Sequence, residues 1–396
     1  MEVQKGAISE SNARLEVKLQ GELEEWLRRN EMLCRQKSRE MWLKNGDKNS
    51  KFFHLSTIIR RKKNSIDAIK DEGGSWLTCK KEIRRHIVEQ FSQRFTEELV
   101  DFPPDLENLI MPSISAEDNA NLCQIPTTQE IKDTIFSMGN QKALGPDGLP
   151  TLFYKKYWNV VGSSVTEAIQ SIFKSGKILK EVNNSLLVLI PKNNCLSVNH
   201  YRPISLCNTV YKAISKIMVS KLRPLLERLV SPCQSTFVPG RWIVENQLIV
   251  HELLHSFKKR KVKGGFLAMK LDLQKAHDRV NWHFLRALLI NFGFHEKFVT
   301  WVMECVSTVS FSTLIDGGKS KQFVPLRGLR QGDLLSPYLF ILCQDVLSRL
   351  IERDHLAGTI KGVKMKVGGP DFTNVMFADD ILLFSRACSS YAAALT

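Results

Sequence analysis

No run of about 18 apolar residues, the length a membrane-spanning helix needs, occurs anywhere in the sequence, so no span is expected. The opening stretch, MEVQKGAISESNARLEVKLQ, lacks an apolar core of the kind a secretory signal carries, so secretion is not expected either. The nine cysteines, Cys34, Cys79, Cys123, Cys195, Cys207, Cys233, Cys305, Cys343 and Cys388, form no CxxC pair. A scattered, odd-numbered set fits free thiols in a reducing compartment and argues against a structural zinc site. Internal repeats and low-complexity tracts are missing. Acid is in short supply: 41 Asp and Glu stand against 56 Lys and Arg, a net charge of +15. That surplus favours a polyanionic partner, most simply nucleic acid; a solvated basic surface is the plain alternative.

What is present is 396 residues, 43% of them hydrophobic, enough for two or three domains. Residues 7–45 read as a long charged helix. A turn at Asn45-Gly46-Asp47 and a basic helix carrying Arg60, Arg61, Lys62 and Lys63 follow. The proline-rich stretch 101–113 reads as a linker. Helices are predicted over 128–138 and 151–175, a strand over 185–192, then a loop ending in YRPISL (201–206) and a helix over 209–229. In the last third, 265–273 reads as a buried strand. Helices are expected over 282–293 and 336–354, and a hairpin at Gly317-Gly318. Strands are expected at 363–367 and 372–385, the second interrupted at Ala378-Asp379-Asp380. Strands and helices mixed in this order indicate an α+β fold, a sheet with helices on one face.

Two acidic sites stand out. Asp272 ends an apolar strand, in Leu271-Asp272-Leu273. Asp379 and Asp380 lie between Val375-Met376-Phe377-Ala378 and Ile381-Leu382-Leu383-Phe384. Carboxylates in runs built for burial usually neutralise, pair with a cation or bind a metal, and adjacent like charges cannot pair with each other. A divalent ion satisfies them, and two ions roughly 3.5–4 Å apart can clamp the attacking and leaving oxygens of phosphoryl transfer. The other reading is a plain hairpin turn, where Asp is common.

These motifs resemble those of the non-LTR (LINE-type) retrotransposon reverse transcriptases, in their plant-like branch. The resemblance runs through WLKNGDKNSKFFH (42–54), KALGPDGLP (142–150), IPK (190–192), HYRPISLCNTVYKAISK (200–216), QSTFVPGR (234–241), LDLQKAHDRVNW (271–282), RGLRQGDLLSPYLF (327–340) and FADDILLFSRA (377–387). It implies the fingers and palm of a right-hand polymerase, with an antiparallel palm sheet. A helical basic linker region would span 1–100, an N-terminal extension and fingers 101–264, and an incomplete palm 265–396, with the thumb expected to be missing after FSRA. The reaction implied is RNA-directed DNA synthesis on an RNA template and DNA primer with dNTPs, in the nucleus or the cytoplasm, with the nucleus favoured by the family.

The resemblance also implies roles. Asp272 and Asp379 would hold two magnesium ions, with manganese as a substitute, and Asp380 would be an outer ligand. The Leu273 carbonyl would lie beside the triphosphate. Lys192 and Arg202 would grip that triphosphate, the one as a point charge, the other as a planar fork. Gln331 and Gly332 would lie against the template and nascent pair, where glycine permits close approach. Three positions depart from the pattern. His277 replaces an aromatic ring under the nucleotide sugar, and Leu144 and Leu334 replace prolines. A decayed remnant that only binds nucleic acid is therefore one alternative. Another is a zinc protease, from the literal H-E-x-x-H of His251, Glu252 and His255, although no third ligand is evident.

Overall fold

Strand alternation builds the sheet that matters most. In β5 (Phe266–Asp272), Leu267, Met269 and Leu271 are half-buried, whereas Ala268, Lys270 and Asp272 are exposed. This is the period-two pattern of a strand with unlike faces. The structure is a computed structural model and describes residues 10–38, 50–97, 102, 106–140, 142–192, 195–259, 265–366, 368–388 and 391. The turn expected at Asn45-Gly46-Asp47 falls outside the described residues.

β5 is an edge strand. It pairs antiparallel with β11 (Asp380–Arg386), which pairs in turn with β10 (Asn374–Phe377). The sheet is antiparallel, as expected, but it carries helices on both faces rather than one. Met269, Leu271, Met376, Ile381 and Leu383 pack on the helix Ser336–Leu356 through Leu347 and Ile351. Phe266, Val375, Leu382 and Phe384 pack on the helix Ile243–Lys259 through Ile249, Val250 and Leu253. The reason is that Phe266, Leu382 and Phe384 make the second face apolar too, except at the charged end near Asp272, and bare apolar surface needs cover. The strand at 265–273, read as buried, is thus half-exposed on one face.

A second sheet has the order β4-β3-β6-β7. β3 (Asn184–Pro191) pairs antiparallel with β4 (Tyr201–Cys207) and parallel with β6 (Ser310–Ile315). The segment read as a loop is therefore the edge strand β4. Pro203 is tolerated there because an edge strand needs no ladder donor on its outer side. β6 turns into β7 (Gly318–Lys319) with Ile315 opposite Gly318. The turn residues are accordingly Asp316 and Gly317, both at positive φ, one place earlier than read.

The helix Lys80–Arg94 buries Ile83, Ile87 and Phe91, spaced four apart, against Leu187, Leu189, Tyr201 and Phe311 of this sheet. A small hairpin, β1 (Ile69–Lys70) and β2 (Trp76–Leu77), joins the same cluster through Ile69. The remaining short pair is β8 (Val363–Lys364) with β9 (Asp371–Phe372). The largest core runs from Leu106 to Val346 around the helices Thr209–Leu222, Trp282–Asn291 and Glu296–Ser307. Within the stretch read as a linker, Leu106 and Ile110 dock into that core. By contrast, the helix Glu10–Ser38 leaves Leu15, Leu23, Trp26 and Leu27 exposed. Among the described residues no helix is long and apolar enough to cross a membrane.

Candidate active site

The β10–β11 hairpin closes tightly. Phe377 pairs with Asp380, leaving only Ala378 and Asp379 in the turn. Ala378 sits at φ 52°, a conformation that costs a non-glycine residue about 1–3 kcal/mol. The buried Gln234 holds it there: its Oε1 accepts from the N–H groups of Ala378 (3.1 Å) and Thr236 (3.1 Å). Asp380 is the register partner of Asp272, so three carboxylates gather at one end of the sheet. All three are exposed rather than buried. The apolar flanks belong to the strands, and the turn lifts the charges past the end of the sheet.

Asp272 and Asp379 line a cleft of about 670 Å³. Lys192, Arg202, Leu273, His277, Gln331 and Gly332 line it as well, so eight of the nine expected residues meet in one place. Asp380 is the exception: it forms an ion pair with Lys270 (2.9 Å), whose hydrogen bond and charge hold the lysine pKa up. Lys192 follows β3 and its N–H donates to the His200 carbonyl (2.9 Å), while Arg202 lies on β4 opposite Ile190. The His277 ring stacks on Phe340, centroids 4.3 Å apart, and its buried Nδ1 has no hydrogen-bond partner. Burial lowers the His277 pKa, with Asp379 opposing.

The loop that presents Gln331 and Gly332 rests on buried charges that sequence reasoning left without roles. Arg330 donates to Asn183 Oδ1 (2.8 Å), Ser185 Oγ (3.2 Å) and the Cys305 carbonyl (2.8 Å), and lies 3.8 Å from the Tyr211 ring centroid. Asp333 accepts from Ser215 Oγ (2.7 Å), Tyr211 Oη (3.2 Å) and Ser336 Oγ (3.3 Å). The Gln331 carbonyl accepts from Ser205 N–H (2.7 Å), tying the loop to β4. Gly332 has φ 104°, and a Cβ there would sit 2.9 Å from the Ser205 carbonyl oxygen, so glycine is required. Gln234, Arg330 and Asp333 all fall inside motifs quoted above; their types alone did not reveal that they build the frame.

Three further groups enter the cleft: Lys275, Asp278 and Arg94. Burial, reinforced by Arg94, lowers the Lys275 pKa to about 8. Burial raises the Asp278 carboxyl, with Arg94 opposing.

A divalent cation fits this donor set. Among the described residues no three His, Cys, Asp or Glu side chains converge as a closed cage. Magnesium does not need one, because it keeps waters and substrate phosphates and takes one or two carboxylates. Asp272 and Asp379, exposed on one cleft, offer that. The rival zinc motif is less well placed: His251, Glu252 and His255 are exposed on the helix Ile243–Lys259, and within residues 251–255 Leu253 alone is buried.

The cleft thus brings together two carboxylates, one on a strand end and one on a hairpin turn, with a lysine and an arginine. The family model for reverse transcriptase (RNA-dependent DNA polymerase) matches residues 190–396. The chain belongs to the reverse transcriptase family, in its non-LTR, LINE-type branch. It is 27% identical over 355 residues to the Transposon TX1 uncharacterized 149 kDa protein of Xenopus laevis, covering 88% of this chain and 26% of that protein. It is 28% identical over 262 residues to the Pol polyprotein of the Drosophila melanogaster element R2DM, covering 66% and 23%. It is 24% identical over 298 residues to the RNA-directed DNA polymerase from mobile element jockey of Drosophila funebris, covering 73% and 32%. The chain thus spans about a quarter to a third of these relatives.

Proposed function

We propose that the chain carries the nucleotidyl-transfer site of an RNA-directed DNA polymerase of a LINE-type retrotransposon. The observation that carries this reading is the meeting of Asp272 and Asp379 with Lys192, Arg202, Gln331 and Gly332 on one cleft. A primer 3′-hydroxyl attacks the α-phosphate of a dNTP paired to an RNA template, and pyrophosphate leaves. Asp272 and Asp379 hold magnesium, which when bound stabilises the charge that develops on the transferring phosphate. Lys192 and Arg202 bind the β- and γ-phosphates and orient the α-phosphate for attack. The Leu273 backbone lies beside that triphosphate. His277 packs under the sugar, and Gln331 with Gly332 lies against the templating pair. Asp380, engaged by Lys270, acts from outside. In this reading residues 1–100 form the linker region, 101–264 the N-terminal extension and fingers, and 265–396 the palm, and the chain works in the nucleus.

The test is primer extension by the purified chain on an RNA template with magnesium, run beside Asp379→Ala. Magnesium-dependent incorporation that the substitution abolishes is expected. Salt-sensitive RNA binding without incorporation would instead establish a nucleic-acid-binding remnant.

A further inference from the structure

Arg94 ends a helix that lies wholly upstream of residues 190–396 matched by the family model. The stripe Ile83, Ile87 and Phe91 seats that helix on the four-stranded sheet, with Arg94 at its C-terminal end. Its side chain, 8% exposed, lies 4.5 Å from the Phe91 ring centroid and lines the cleft with Lys192, Arg202 and Asp379. The guanidinium is only partly satisfied. Nη2 donates to Asn199 Oδ1 (3.1 Å), and Lys275 Nζ donates to the same oxygen. Nη1 is buried without a hydrogen-bond partner, 3.7 Å from Asp278 Oδ2, which has none either. The other Asp278 oxygen accepts weakly from Gln331 (3.4 Å). Two cations from distant parts of the chain thus share one amide oxygen, with the carboxylate of Asp278 as the nearby counter-charge. The surplus positive charge faces a partly desolvated cleft, where an anion gains most. A buried donor with no acceptor costs free energy until an oxygen fills its place.

Resting on the nucleotidyl-transfer reading, we infer that Arg94, with Lys275 beside it, is a further substrate-binding residue that takes phosphate oxygens at the pyrophosphate end of the incoming nucleotide. The segment upstream of the family-matched core then completes the nucleotide site. An arginine suits the task because its fork offers two parallel donors to a phosphate.

Two measurements on the full chain test this. The first is calorimetric titration with inorganic pyrophosphate. Arg94→Gln removes the charge but strands Asp278, so it is paired with Asp278→Asn, which keeps the buried site neutral; Lys275→Gln is a second, half-exposed probe. Each is expected to raise the pyrophosphate Kd about tenfold, the scale of one lost charge-assisted hydrogen bond, with Arg94→Lys intermediate. The second is steady-state extension of oligo(dT) on poly(rA). The KM for dTTP rises by a similar factor, while kcat and the KM for primer–template change far less. A residue that only anchors its helix would lower the melting temperature and leave both the dTTP KM and the pyrophosphate Kd alone. That result in the double variant and in Lys275→Gln overturns the inference. A parent chain that never extends a primer, yet loses pyrophosphate binding with Arg94→Gln/Asp278→Asn, sinks the polymerase reading and leaves the anion site standing.

Discussion

Asp333 and Asp379 serve the same cleft from opposite sides of its wall. Asp333 is 4% exposed and takes hydrogen bonds from Ser215, Tyr211 and Ser336. Asp379 stands exposed on a two-residue turn and, among the described residues, takes part in no ion pair. The difference teaches how the charges divide their work. A buried carboxylate whose oxygens are fully engaged fixes a loop in space and has nothing left to offer a ligand. An exposed carboxylate on a rigid turn keeps its oxygens for one.

Substitutions that treat both charges alike should break that contrast in opposite directions. The largest effect belongs to the exposed set. Asp379→Asn or Asp272→Asn should lower RNA-templated extension about 10³-fold, the scale for removing a group that stabilises transition-state charge. The urea midpoint should hold, and extension within tenfold of the parent would place the chemistry elsewhere. Asp333→Ala inverts the pattern. It strands three hydroxyl donors in the core and should cost about 3 kcal/mol of stability, read as a lower urea midpoint at constant slope. An unchanged midpoint would show that Asp333 bears no structural load. Gly332→Ala lies between the two: its strained φ and the clash with the Ser205 carbonyl should cost about 1–3 kcal/mol and blunt extension as well. The smallest effect is expected from His277→Phe. It removes the orphaned Nδ1, keeps a ring against Phe340 and should raise stability by about 1 kcal/mol, and a loss in thermal melting would mean that Nδ1 has a hidden partner.

How much of this was legible beforehand depends on distance along the chain. Asp379 and its turn could be read because the apolar runs on either side announce two strands, and Asp272 because it ends a third. Their exposure could not be read, since burial of the flanks says nothing of where a turn projects. YRPISL looked like a loop because Pro203 and the polar Arg202 and Ser205 hide its alternation; only its place at a sheet edge makes it a strand. The helices on both faces of the β5 sheet depend on which segments return to it, and no local pattern encodes that. Gln234 supports Ala378 from 144 residues away, and Arg94 meets Asn199 across 105, contacts that no local window contains.

The parallel pairing of β3 with β6 has a consequence in time. Asn184 and Ser310, register partners, are separated by 126 residues. On a ribosome adding roughly 5–20 residues each second, β3 emerges about 6–25 s before its partner does. For that interval Leu187 and Leu189 form an apolar strand with one edge unpaired, the arrangement that invites pairing with another chain. The antiparallel partner β4, with its proline, arrives soon after and covers only one edge. Maturation of the cleft therefore waits on a slow, non-local closure, and the yield of native chain should respond to chaperones and to growth temperature more than a helical protein of this size would.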